Sequence, residues 1–350
     1  MKALLYAMAA ASAQRVERPG TGGTSTHAYV VMVGPLEPAR NYRPWLLSAV
    51  SMANTLRAHG SAADFLVLLA TKRDGKPRAT VPLLEKEEAT LVKARCRWRY
   101  AKPPGQRRLA GYHMGHYKLL AWQHTEYAAI QLLDADLLPV ANLDPLFGLA
   151  QDFKAQVVAC PGKVAPLNAG WVLIWPSLDT FAGLVRTLDL MKRTNRAAPY
   201  GHAMALPWRT ATGAAGGADW RFFDAFGNQG HMYDYFRFEA KSLALIVQST
   251  QNGTRLVRYG LKEVFSEPAS RVLDAAFPCP FPVRGPRAPA GLAYVHFTGR
   301  DKPWKRFSAA NKNFRAWYAA ASRRGADLDV LEGLFPAVPR AALLEAATRA

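Results

Sequence analysis

Cysteine is scarce in this 350-residue chain, which has only Cys96, Cys160 and Cys279. Three so widely spaced thiols exclude a cysteine-ligated zinc site and a disulfide framework, and leave room for one bridged pair. Acidic residues are also short, 26 against 45 lysines and arginines, for a formal net charge of +19. Such an excess attracts polyanions of any kind, from nucleic acid and anionic lipid heads to acidic glycans and nucleotide diphosphates. The basic residues are scattered, as in 93–108 and 300–315, with neither an RNA-binding signature nor zinc-finger spacing, so nucleic acid ranks below a solvated basic surface. Past the N-terminus no apolar run approaches the ~18 residues of a membrane span. There is no internal repeat. With 50% hydrophobic and 20% charged residues, the composition excludes a disordered chain.

The order of segments predicts an α/β fold. His27 to Val33 (HAYVVMV) reads as a first strand, Arg43 to His59 as an amphipathic helix stopped by Gly60, and Asp64 to Ala70 (DFLVLLA) as a second buried strand. Strand, helix, strand with short loops argues for a mostly parallel, Rossmann-like central sheet with flanking helices. The pattern repeats with helices at Pro82 to Arg95 and His113 to His124 and strands at Arg97 to Tyr100 and Ala128 to Leu133. Beyond residue 150 the order turns mixed. Strands are expected at Gln156 to Cys160, Gly170 to Trp175, Leu243 to Gln248 and Ala293 to Phe297. Helices are expected from Ser177 to Arg193, capped by Ser177, and at Ala309 to Arg323 and Pro339 to Arg349, with Arg209 to Ala218 a loop. Residues 1–25 read as a secretory signal peptide or flexible terminus, from Lys2, the apolar Ala3 to Ala11 and the small-x-small Ala11-Ser12-Ala13, with a transit peptide as the alternative. A catalytic domain over 26–306 and a helical extension over 307–350 complete the division.

The most informative stretch is Tyr127 to Phe147, YAAIQLLDADLLPVANLDPLF. A buried strand carrying Ile130, Leu132 and Leu133 would deliver Asp134-Ala135-Asp136 to the crevice at the C-terminal edge of the sheet, where ligands bind. Carboxylates two apart in extended chain point the same way. Two of them at an apolar strand end repel each other unless a cation joins them, and hard oxygen ligands suit Mn²⁺ or Mg²⁺ bridging a diphosphate. The alternative is a solvated loop that happens to contain DAD.

Four segments in order then resemble the glycogenin-like glycosyltransferases, glycosyltransferase family 8. They are Lys118-Leu119-Leu120-Ala121-Trp122 with the strand and LLDADLLPVANLDPLF; Leu167-Asn168-Ala169-Gly170-Trp171-Val172; Phe223-Asp224 with Asn228-Gln229-Gly230; and Val295-His296-Phe297-Thr298-Gly299-Arg300-Asp301-Lys302-Pro303-Trp304. The resemblance implies a nucleotide-diphospho-sugar transferase fold and a divalent metal, Mn²⁺ or Mg²⁺, held by Asp134, Asp136 and His296. A neutral imidazole suits Mn²⁺ better than Mg²⁺. Gly299 would let the backbone approach the diphosphate, and Lys302 would set a point charge on it. Lys118 matches a lysine that contacts the donor, against the alternative of a solvated lysine on an amphipathic helix. Tyr42 resembles the tyrosine that stacks on uracil, while Asn168, Gly170 and Gln229 match the sugar-lining segments. A turn residue and a helix cap are the alternatives for Asn168 and Gln229.

By the same resemblance the chain transfers a hexose from a UDP-sugar to an acceptor hydroxyl with retention, and Gln229, Asn228 and Lys118 are the expected catalytic side chains. A front-face route, in which the leaving phosphate oxygen takes the acceptor proton, needs no protein nucleophile. The family commonly carries Asp where this chain has Asn228, and an amide hydrogen-bonds a hydroxyl but cannot act as base or anion. One rival is therefore a non-catalytic module that keeps the fold and binds a nucleotide sugar or glycan. A second, a nucleotidyltransferase, lacks the Gly-rich loop it would want, since Gly34-Pro35-Leu36 follows the first strand. The sequon Asn252-Gly253-Thr254 together with the N-terminus points to the secretory pathway or Golgi lumen, with cytoplasm or plastid as alternatives.

Overall fold

A computed structural model describes residues 25–70, 81–101, 114–150, 156–160, 167–194, 227–247, 250–251, 254–259, 263–268, 272–274, 294–297 and 302–349. The N-terminal segment, the 209–218 loop, Gly299 and the asparagine of the sequon lie outside them.

The fold is α/β. The strands are β1 (His27–Val33), β2 (Asp64–Ala70), β3 (Arg97–Ala101), β4 (Ala129–Leu133), β5 (Leu137–Pro139), β6 (Val157–Cys160), β7 (Asn168–Ile174), β8 (Leu243–Val247), β9 (Thr250–Gln251), β10 (Thr254–Tyr259), β11 (Glu263–Pro268), β12 (Val272–Asp274) and β13 (Tyr294–His296). Eight of them form the main sheet in the order β12-β8-β6-β7-β4-β1-β2-β3. Neighbours run parallel except at β7, which is antiparallel to both β4 and β6. The mixed order expected beyond residue 150 is this reversal.

Burial on both faces makes the inner strands continuous apolar runs rather than alternating ones. Successive side chains still go to opposite sides. On one side Ala28, Val30, Ile130, Leu132 and Val172 pack under the Met114–Gln123 segment and helix Leu178–Thr194. On the other, Tyr29, Val31, Leu133, Trp171 and Leu173 pack under helix Arg43–Ala58. Gln131 sits in the middle of β4 and is fully buried, which is tolerable because its amide donates to the Leu143 carbonyl (2.7 Å) and accepts from Trp171 Nε1 (2.9 Å).

Several elements differ from expectation. The segment expected as a helix from His113 is a 3-10 helix over Met114–Gln123. Its residues 115–122 are buried on every side, so surrounding packing rather than an amphipathic stripe sets its winding. The helix over Asn228–Asp234, implied above only by the cap alternative for Gln229, continues as a π turn over Tyr235–Glu239, and the antiparallel sheet of β9, β10 and β11 has no counterpart among the expected strands. Helix Lys312–Ala321 packs back onto the first helix and helix Arg340–Thr348 packs onto Lys312–Ala321, around a third core of Trp304, Phe314, Trp317 and Leu343. Trp317 Nε1 donates to Ser48 Oγ at 3.2 Å, and Asn54 donates to the Ala320 carbonyl at 2.9 Å.

Candidate active site

The candidate site is built where β4 ends. Leu133 is the last strand residue, and the Asp134 N–H donates to the Gly170 carbonyl of the neighbouring β7 at 2.8 Å. A turn closed from the Leu137 N–H to the Asp134 carbonyl (3.2 Å) swings the chain into β5. The partner of β5 is β13, from the far end of the sequence, in antiparallel register with His296 opposite Leu137. Phe297 N–H adds a bond to the Asp136 carbonyl at 2.8 Å. These backbone bonds bring His296 to two carboxylates 160 and 162 positions earlier in the chain.

The resulting cluster is tight. Ligand atoms of Asp134, Asp136 and His296 all lie within 4.8 Å of one another. His296 Nε2 stands 3.1 Å from Asp136 Oδ1 and 3.6 Å from Asp134 Oδ2. Two donors in neighbouring positions of an octahedral cation with bonds of about 2.1 Å are about 3 Å apart, so this donor set fits a hard or borderline divalent ion. Two lysines close the group. Lys118, on the 3-10 helix, is ion-paired with Asp134, and its Nζ donates to the Ala169 carbonyl at 2.6 Å. Lys302 is ion-paired with Asp136 and also donates to the Phe297 carbonyl.

The electrostatics follow from burial and neighbours. Burial alone would raise the Asp136 carboxyl, but the adjacent His296 and Lys302 outweigh it and hold it well below the usual carboxylate range. Burial alone would lower the His296 imidazole, and Asp136 and Asp134 reverse this and raise it. Burial, with Asp134 nearby, pushes the Tyr294 phenol well up.

Gly170 has a steric reason to be glycine. A Cβ there would sit 2.7 Å from Asn168 Oδ1 and 2.8 Å from His296 Nδ1, inside any real carbon contact. Asn168 Oδ1 accepts from the Gly170 N–H at 2.7 Å, the local turn role weighed above. Gln229 Oε1 accepts from the Ala169 N–H at 3.2 Å, so Gln229 is tied to the site segment of β7 rather than capping its own helix. Asn228 is the first residue of that helix, whose cap is Gly227, and it makes no cap bond. Its Nδ2 is buried without a hydrogen-bond partner among the described residues.

Tyr42 is not part of this group. It is 1% exposed in the core under the sheet, and its hydroxyl accepts from Arg40 Nη1 (2.7 Å) and donates to Glu87 Oε2 (3.1 Å). Its ring therefore offers no open face to a base. The aromatic that meets the cluster is Trp45, one turn further on, whose ring centroid is 5.7 Å from Lys302 Nζ and 4.9 Å from Trp304. The third acid of the motif, Asp144, is structural: it accepts from Tyr29, Ser61 Oγ (2.6 Å) and the Ala62 N–H (2.8 Å). Cys160, at the end of β6, is disulfide-bonded, whereas Cys96 is free and buried.

No family model matches the chain. It is 27% identical over 180 residues to UDP-glucuronate:xylan alpha-glucuronosyltransferase 1 of Arabidopsis thaliana, a match covering 51% of this chain and 24% of that protein. The chain thus spans about a quarter of that relative's length. Among solved structures, the glycosyltransferase GlyE of Streptococcus pneumoniae TIGR4 is similar at 14% identity and a TM-score of 0.45, over 91% of this chain and 62% of that one. The galactosyltransferase LgtC, in complex with donor and acceptor sugar analogs, is similar at 14% identity and a TM-score of 0.42, over 84% of this chain and 95% of that one.

Proposed function

We propose that this protein is a metal-dependent, retaining glycosyltransferase that moves a hexose or a related sugar from a UDP-sugar to an acceptor hydroxyl. The observation that carries the reading is the convergence of Asp134, Asp136 and His296 within 4.8 Å at a strand end, backed by Lys118 and Lys302. A divalent ion held by those three residues, Mn²⁺ or Mg²⁺, supplies Lewis-acid stabilisation of the departing diphosphate. Lys302 and Lys118 place ammonium groups beside the same phosphates as negative charge develops. Gln229, fixed to β7, and Asn228, whose Nδ2 has no partner among the described residues, line the sugar; Gly170 keeps β7 close to His296.

Asn228 also bears on the donor. An amide in place of a carboxylate removes a charge that would repel an acidic sugar, and its N–H₂, without a partner among the described residues, is a donor for one. The Arabidopsis relative is named for a UDP-glucuronate donor, so uronates belong beside UDP-glucose and UDP-galactose in a donor panel. The disulfide at Cys160 supports an oxidising compartment such as the Golgi lumen. No helix among the described residues is long and apolar enough to cross a membrane.

The test is donor hydrolysis against a panel of UDP-sugars with Mn²⁺. One donor should be turned over, and Asp136→Asn and His296→Ala should each cut that turnover by orders of magnitude, because losing a ligand removes leaving-group stabilisation worth several kcal/mol. Turnover indifferent to a chelator would refute metal dependence. Binding of a UDP-sugar with no transfer or hydrolysis of any donor would favour the non-catalytic module.

A further inference from the structure

The carboxylate and ammonium charges gathered at the end of β4 already balance without a metal. Asp134 and Asp136 contribute two negative charges, and each is paired with its own lysine, Lys118 and Lys302. Both lysines are buried, 4% and 6% exposed, and neither reaches its carboxylate by a loose swing through solvent. Lys118 is anchored on the Ala169 carbonyl, and Lys302 on the Phe297 carbonyl and over the Trp45 ring. A divalent cation arriving alone would therefore leave a net double positive charge on a partly buried cluster, with two buried ammonium ions beside it. Like charges a few ångströms apart in partly buried surroundings repel strongly. A diphosphate arriving with the cation restores neutrality and gives both ammonium groups new acceptors.

We propose that the site takes a divalent cation and a nucleoside diphosphate as a single ligand, because Lys118 and Lys302 are built-in counter-ions of Asp134 and Asp136 that oppose the cation when it comes alone. The inference rests on the donor site proposed above and adds how its cation and its diphosphate depend on each other through Lys118 and Lys302. Cation and diphosphate then strengthen each other's binding by one common factor, as linkage requires.

Titration of the full chain with Mn²⁺, following the EPR signal of the free ion, tests this without turnover. It is run alone, with UDP and with inorganic pyrophosphate, each corrected for chelation in buffer; pyrophosphate separates the phosphates from the base. UDP and pyrophosphate should each tighten Mn²⁺ binding about tenfold or more, and Lys302→Met should tighten binding of Mn²⁺ alone by a similar factor while shrinking the enhancement. Lys118→Met should do the same through Asp134. Thermal unfolding checks each variant, and Lys302→Gln serves if the methionine variant is unstable. Equal Mn²⁺ affinity with and without diphosphate overturns the counter-ion inference and leaves the donor site standing, as does a folded Lys302 variant whose affinity for Mn²⁺ alone is unchanged or weaker. No Mn²⁺ binding under any condition overturns both.

Discussion

Substituting Gly170 with alanine should damage the metal site from its back. The added Cβ would stand 2.8 Å from His296 Nδ1 and 2.7 Å from Asn168 Oδ1, so something must move. The β7 backbone cannot retreat freely, because the Gly170 carbonyl accepts from Asp134 and the Ala169 carbonyl holds Lys118. His296 belongs to a three-residue strand that, among the described residues, pairs only with β5, and its ring is the part that gives. Displacing that ring breaks the 3.1 Å approach of Nε2 to Asp136. Overpacking of this kind costs about 1–3 kcal/mol, and if it falls on the ligand, Mn²⁺ affinity measured with UDP present drops about 5- to 150-fold. Calorimetric titration gives the affinity, and thermal unfolding gives the stability of the same sample. Gly183→Ala is the control: its Cβ would stand 2.7 Å from Cζ of Tyr235, so it should lower the melting temperature and leave Mn²⁺ affinity alone. A Gly170→Ala protein with wild-type affinity for Mn²⁺ would refute the idea that His296 is braced against β7.

Three further outcomes follow from the same geometry. His296 is raised, so in metal-free protein its contribution to stability is complete below its unfolded value of about 6.5 and is lost as pH rises through its folded value. Asp136 is depressed, so its contribution is present above about 3.9 and is lost as pH falls through its folded value. Melting temperatures from pH 5 to 9 should therefore show the gap between wild type and His296→Ala narrowing towards alkaline pH; a gap that widens contradicts the sign. If Asn228 serves the donor through its Nδ2, Asn228→Ala should lose about ten- to a hundredfold in turnover per folded molecule, the loss of one buried polar partner at ~1–3 kcal/mol. Unchanged kinetics with a lowered melting temperature would take Asn228 out of the site. If the chain enters the secretory pathway, expression in a eukaryotic host with its native N-terminus should give a product whose gel mobility shifts on deglycosylation; no shift, with Met1 retained, counts against it.

What could be read from the sequence was decided by how local the cause was. β1 and β2 fall on their expected residues because an apolar run between polar loops needs only its own composition to say that both faces are buried. The aspartates were legible for the same reason, as charge placed directly after such a run. Tyr42 was misplaced because its fate is set by Glu87, 45 residues later, which takes up Tyr42 together with Arg40 and Arg43. Nothing in the local string NYRPW marks that network. Trp45 could have been weighed as the aromatic near the cluster only by knowing that Lys302 folds back over it.

The pairing of each carboxylate with a lysine lies at the same limit. Lys118 and Lys302 were each singled out as donor contacts, which treats them as charges waiting for phosphate. Their actual partners, Asp134 and Asp136, are 16 and 166 positions away and depend on the winding of the 3-10 helix and on β5 meeting β13. A lysine already committed to a carboxylate is a different reagent from a free one. It gains a phosphate only by giving up its carboxylate, so its net worth to donor binding is the difference between two ion pairs rather than the value of one. The four residues therefore form one charge-balanced set, with metal affinity and phosphate affinity as two readings of the same balance.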